Sequence, residues 1–324
     1  MFSTPTGGSN SSDMGAGNAA KPNNAPAGPQ PPNIPSTPVP GAVGSEPSSA
    51  PSGHAGRLTA NIPKAIPELR QQLDAATAER QRTQAALDAL PRPVDRNISR
   101  PLVTDANKSI QSLADARNAH EAALREHLMN VLGTNAPPLL AEISPGLDAR
   151  GRAAAEEGMA FLGRLAGPGR AVPLVRIERM PKGERPEYVN GRIRLPKSAD
   201  TAEVLHEYGH HLENDPGVLR AANRFWRERF HGTDEVALAT EFPGGNFDEG
   251  DVGHRNKTGR IQRLFPNRPD RALYIGKRIT KQSGTEIVTV GLELLYGNPI
   301  HFARTDPEYF NLVVGTLKGE HDHR

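Results

Sequence analysis

The run Thr201 to Asp215, TAEVLHEYGHHLEND, constrains this chain more than any other. Asp200 and Glu203 stand at capping-box spacing and Pro216 cannot continue a helix, so the pattern predicts a helix over 201–214. At 3.6 residues per turn, His206 and His210 project from one face about one turn apart and can grip a single metal ion. Glu207 follows the first histidine, placed to take a proton from metal-activated water rather than to ligate the metal. Leu205, Tyr208 and Leu212 form a separate apolar stripe that anchors the helix in a core. His211 is off the ligand face and reads as an exposed or supporting histidine.

The chain has no cysteine, so any metal site draws on His, Asp and Glu. Zinc is the metal that HExxH points to, and a catalytic zinc needs a third protein ligand. The pattern HExxHxxGxxH is excluded, because Glu213 and Pro216 occupy the positions that would need Gly and His or Asp. Glu213 lies on the ligand face, yet one straight helix rarely wraps a tetrahedral ion over three turns. A ligand on a second helix is preferred. The stretch Ser283 to Glu293 (SGTEIVTVGLE) predicts one, with Ser283 or Gly284 near its cap and Glu286 in its first turn.

Around this element the chain divides into three. Residues 1–56 are Ser-, Pro-, Gly-, Asn- and Ala-rich, with Asp13, Lys21 and Glu46 the only charges, and too few apolar groups to offset the entropy of ordering. They are expected to be disordered. Within 57–135, Ile66, Leu69, Leu73, Ala76, Leu87 and Leu90 recur at helical spacing. After Pro91 and Pro93 a second helical face carries Ile110, Leu113, Leu124, Leu128 and Val131, so an α-helical hairpin is predicted. Residues 136–324 turn to mixed α and β, with a helix over 150–166, a strand over Val172 to Glu178, and two short strands flanking Asn190-Gly191, a hairpin turn.

With these features the chain resembles the gluzincin-type zinc metallopeptidases, where an HExxH helix gives two histidines and a later helix gives a glutamate. The resemblance covers about residues 150–319 and implies an α+β zincin-like domain. By position it makes His206, His210 and Glu286 the zinc ligands and Glu207 the general base. Position 290, four after Glu286, is Val where thermolysin-like enzymes have an acid. Glu293 takes that role or is itself the ligand. NPIHFARTDPEYFNLVVGTLKG (298–319) is similar to zincin modules of bacterial effectors, toxins and phage-associated proteins. Together with the opening MFSTPTGGSNSS, the whole resembles type III secreted effectors of plant-pathogenic bacteria, akin to the clostridial-neurotoxin-like peptidases. That implies a host protein as substrate, a secretion chaperone as partner, and delivery into the host cell.

Peptide hydrolysis also needs an oxyanion donor, and Tyr296, His301, Arg304 and Tyr309 follow Glu286 closely enough to compete for it. The 188–195 hairpin offers an edge strand for an extended substrate. Asp248-Glu249-Gly250-Asp251 lacks the ligand spacing of a calcium loop, and RAANRFWRER (220–229) reads as a packing helix. A net charge of +2 gives no field for nucleic acid, and no run of about 18 apolar residues offers a membrane span. Two rivals remain: a non-enzymatic phage-associated or scaffold protein with a structural or vestigial zinc site, and an autoprocessing toxin.

Overall fold

A computed structural model describes residues 52–90, 96–134, 139, 141–167, 174–181, 184–245, 247–277 and 284–320. Helix α1 (Gly53–Ala60) leads to the long pair α2 (Ala65–Asp88) and α3 (Arg96–Leu132), the expected helical hairpin. Small residues line their contact: Ala76 of α2 and Ala106 and Ser109 of α3 are buried, and Thr83 Oγ1 and Ser109 Oγ bond at 2.8 Å. Side chains this small let two helix axes come close. The expected apolar face of α3 is therefore only half used. Leu124 and Leu128 enter the core, whereas Ile110, one position past Ser109, is rotated off the seam and 46% exposed.

The expected boundary at 56 falls inside α1, where Ala55 and Leu58 are fully buried. Residues 1–51, the bulk of the expected disordered tail, lie outside the described residues. Ser49–Arg324 forms one compact unit, and the hairpin shares a core with residues 136–324.

Strand β1 (Ala141–Ile143), helix α4 (Ala149–Leu165) and strands β2 (Val175–Arg179), β3 (Glu187–Val189) and β4 (Arg192–Leu195) follow. They pair in the order β1-β2-β4-β3, parallel except for the β3–β4 hairpin. Asn190 and Gly191 both have positive φ, 50° and 80°, the backbone of a tight two-residue turn. Val175, Ile177, Ile193 and Leu195 bury one face of the sheet, and β3 is left at its edge.

Helix α5 (Thr201–Leu212) carries the HExxH, and Pro216 both stops it and opens α6 (Pro216–Phe230), as proline in a first turn can. Phe225, Trp226, Arg229 and Phe230 bury the inner face of α6, the packing role expected of 220–229. Next come β5 (Glu235–Ala237), α7 (Leu238–Glu241), β6 (Val252–His254), α8 (Arg260–Leu264) and α9 (Pro269–Tyr274), with β5 and β6 forming an antiparallel ribbon. Helix α10 (Ile287–Gly297) is apolar nearly all round and lies in the core, followed by α11 (Pro299–Thr305) and α12 (Pro307–Lys318). The architecture is α+β, helix-dominated with a small mixed sheet. No helix among the described residues is long and apolar enough to cross a membrane.

Candidate metal centre

The capping box of α5 forms as its sequence requires: Glu203 N donates to Asp200 Oδ1 at 3.0 Å, and Asp200 N to Glu203 Oε2 at 2.9 Å. Leu205, Tyr208 and Leu212 anchor the buried stripe. His206 and His210 face α10, and Gly209 between them presents no side chain to its backbone. Glu286 is the N-cap residue of α10 rather than part of its first turn, with φ −94° and ψ 11°. From there its carboxylate lies near both rings, 3.5 Å from His206 Nε2 and 3.9 Å from His210 Nε2. Thr289 Oγ1 donates to its Oε2 at 3.0 Å.

One ligand atom from each of His206, His210 and Glu286 fits within 4.8 Å of the others. Bonds of about 2.0–2.2 Å to a tetrahedral ion place donor atoms roughly 3.3–3.6 Å apart, so Glu286 stands at ligand spacing from His206 Nε2 and slightly beyond it from His210 Nε2. The three residues make the one such cluster among the described residues. The group can hold a metal, and the outer contacts suit that role. Glu293 Oε1 lies 2.7 Å from His206 Nδ1, which leaves Nε2 free to face the centre. Arg271 bonds the other oxygen of Glu293. Glu293 thus stands outside the cluster, as the carboxylate partner of His206. Glu213 also stands outside the cluster, with both its oxygens bonded to Thr285.

Burial dominates the electrostatics. It pushes Glu207 up to about 7, helped by the nearby Glu286 carboxylate against His206. It drives His210 down to about 4. On His206 burial works in the same direction, but the Glu293 hydrogen bond and the Glu286 charge outweigh it and hold the imidazole above its usual range. Burial likewise pushes Glu213 up to about 8 despite its Thr285 bonds.

No family model, curated protein or solved structure matches this chain. The site is therefore read from its own geometry.

A cavity of about 710 Å³ opens beside the cluster, and His206, Glu207, Tyr274, Arg271, Phe242 and Arg185 are among its walls. The residues expected to stabilise an oxyanion are elsewhere. Tyr296 packs edge-on against Phe161 and bonds Glu157, and His301 Nε2 meets Arg263 O at 3.3 Å on the surface. Arg304 is exposed and does not line the cavity. Tyr309 is fully buried with its hydroxyl on Ile287 O. Closeness in sequence to Glu286 misled here: Tyr296, His301 and Arg304 lie toward or beyond the far end of α10, and Tyr309 returns to its start with the hydroxyl spent on a backbone carbonyl.

Tyr274 and Arg271 on α9 are the residues the sequence reading missed. The Tyr274 ring stacks on His206 with centroids 6.2 Å apart, and its hydroxyl is in hydrogen-bonding reach of Glu286. Burial, then Glu286, raises that phenol far above its usual range, so it stays a neutral donor. No local pattern marks either residue; only the path of α6–α9 back over α5 brings them in. The acidic loop is accounted for by ion pairs: Asp248 meets Arg185 at 2.9 Å and Asp251 meets Lys277 at 2.8 Å.

Proposed function

We propose that this chain is a zinc-dependent endopeptidase, with His206, His210 and Glu286 holding the metal and Glu207 as the general base. The observation that carries the reading is the placement of Glu207. Its residue is 4% exposed, it follows His206 on the same helix, and it lines the cavity beside the cluster. What zinc supplies in such a site is Lewis acidity and a water that is acidic near neutral pH. With zinc held by His206, His210 and Glu286, Glu207 would be the group placed to accept a proton from the attacking water and pass it to the leaving amine. Tyr274, a neutral hydroxyl, and Arg271 are side-chain donors in the cavity wall that can meet charge developing on the carbonyl oxygen.

The cavity wall includes Arg185 and Pro186, the two residues before β3, so the free edge of that strand leads into the site. An extended polypeptide can pair there through its backbone, which suits a protein substrate. The composition of residues 1–56 and the resemblance to type III effectors support a host protein as that substrate, with a secretion chaperone as a further partner. The test is cleavage of a proteome-derived peptide mixture by the zinc-loaded chain and by Glu207→Gln. We expect kcat/KM to fall about 10²–10⁴-fold in the variant with its zinc retained. Equal cleavage by both proteins, or none by the zinc-loaded wild type, would overturn the reading.

A further inference from the structure

We infer that Glu213 is a positioning residue: it clamps the chain entering α10 and so sets where the ligand Glu286 stands. The inference rests on the metal-site reading and extends it to a residue outside the ligand set.

Glu213 is the C-cap residue of α5, three positions after His210, and is 4% exposed. Its side chain reaches Thr285, the residue before Glu286. Thr285 N donates to Oε2 at 2.5 Å, and Thr285 Oγ1 donates to Oε1 at 2.5 Å. The same hydroxyl oxygen accepts from Ile287 N at 3.1 Å. The backbone on both sides of Glu286 is thereby tied, directly or through Thr285, to the helix that bears both histidines. Glu286 needs such a tie because an N-cap residue is only half inside its helix. Thr289 holds the carboxylate of Glu286 but not its backbone.

Residue 284 is matched to the clamp. A Cβ on Gly284 would stand 2.1 Å from Glu213 Oε2, so a side chain there would evict the carboxylate. Burying a carboxylate is costly, and an apolar contact would join two helices at least as well. What the carboxylate adds is direction, two acceptors fixed on one residue's N–H and O–H. HExxHxxE on α5 and Gly-Thr-Glu at the start of α10 therefore act as one unit.

The test uses the full chain and measures Zn²⁺ affinity by competition with a chromophoric chelator, together with the visible spectrum of the Co²⁺ form. We expect Glu213→Ala to weaken affinity about tenfold or more. Its Co²⁺ spectrum should move toward that of Glu286→Ala, reporting a displaced ligand. Glu213→Gln can accept from Thr285 N–H and donate to Thr285 Oγ1, and should restore both readouts close to wild type. Lowered metal-free stability in Glu213→Ala with affinity and spectrum unchanged would overturn the inference. If Glu213→Ala does not fold, Thr285→Val replaces it, with a smaller loss of affinity expected and an unchanged affinity counting against the clamp. Failure of the wild type to bind metal while His206 and His210 are intact overturns the underlying site. Retained affinity in Glu213→Ala beside its loss in His210→Ala overturns the clamp alone.

Discussion

Gly209 lies directly against the backbone of Thr289: a Cβ at 209 would stand 2.5 Å from Thr289 Cα and 2.7 Å from its nitrogen. The centre residues of HExxH thus include the point where α5 and α10 touch. Gly209→Ala must push α10 outward and carry Glu286 from the histidines. We expect a stability loss of about 1–3 kcal/mol, as for overpacked cores, and weaker metal binding. Urea unfolding and zinc titration on one preparation check both.

Glu293 fixes His206 through Nδ1 while holding Arg271. Glu293→Ala frees the ring and removes the charge that favours its orientation. Metal affinity should fall about 10–100-fold, as for other outer partners of ligating histidines, with one ion still bound at saturation. Isothermal titration would read the two effects separately.

The pH dependence of the metal-free protein follows from three raised groups. Glu207 and Glu213 stand at about 7 and about 8, above the ordinary carboxylate value of 4.5, and His206 stands above 6.5. A group whose folded value is raised contributes stability that is present at low pH and lost as pH rises through that value. His210, lowered to about 4, acts oppositely but only as pH falls below 6.5. From pH 6.5 to about 7 all three raised groups withdraw stability together and Glu213 continues to about 8, so the urea midpoint in chelator should drop over that interval. Glu213→Gln should flatten the drop. Saturating zinc should reverse its sign, because metal binding requires deprotonated ligands.

Away from the site, Arg229 and Asp306 form a buried pair at 3.1 Å that ties α6 to the start of α12. Asp306 is fully buried, accepts Tyr309 N at 3.2 Å as a cap, and Glu308 also reaches Arg229. Asp306→Ala leaves a buried guanidinium short of a partner and should cost about 3 kcal/mol or more. Zinc stoichiometry should be unchanged at temperatures where the variant is folded, which separates this staple from the metal centre.

The parts legible in the sequence are those set by neighbours along the chain. The capping box at Asp200, the i, i+4 histidines, the Asn190-Gly191 turn and the two long amphipathic helices all follow from short-range geometry. The rest depends on contacts between distant segments. That Glu293 supports His206, that Glu213 holds Thr285, and that Tyr274 covers the cluster are consequences of how α5, α9 and α10 pack. The resemblance points to Glu286, whereas its N-cap conformation is not legible in the sequence, because the cap signals at Ser283 and Gly284 precede it by only a few residues. Tyr296, His301 and Tyr309 show the opposite error, in which nearness in sequence stood in for nearness in space.

The most direct test is the zinc content per chain, by elemental analysis, of purified wild type, His210→Ala and Glu286→Ala after loading and exhaustive dialysis. A site built from two helices gives close to one zinc in the wild type and loss in both variants. Retention in Glu286→Ala, or no zinc in folded wild type, would contradict it.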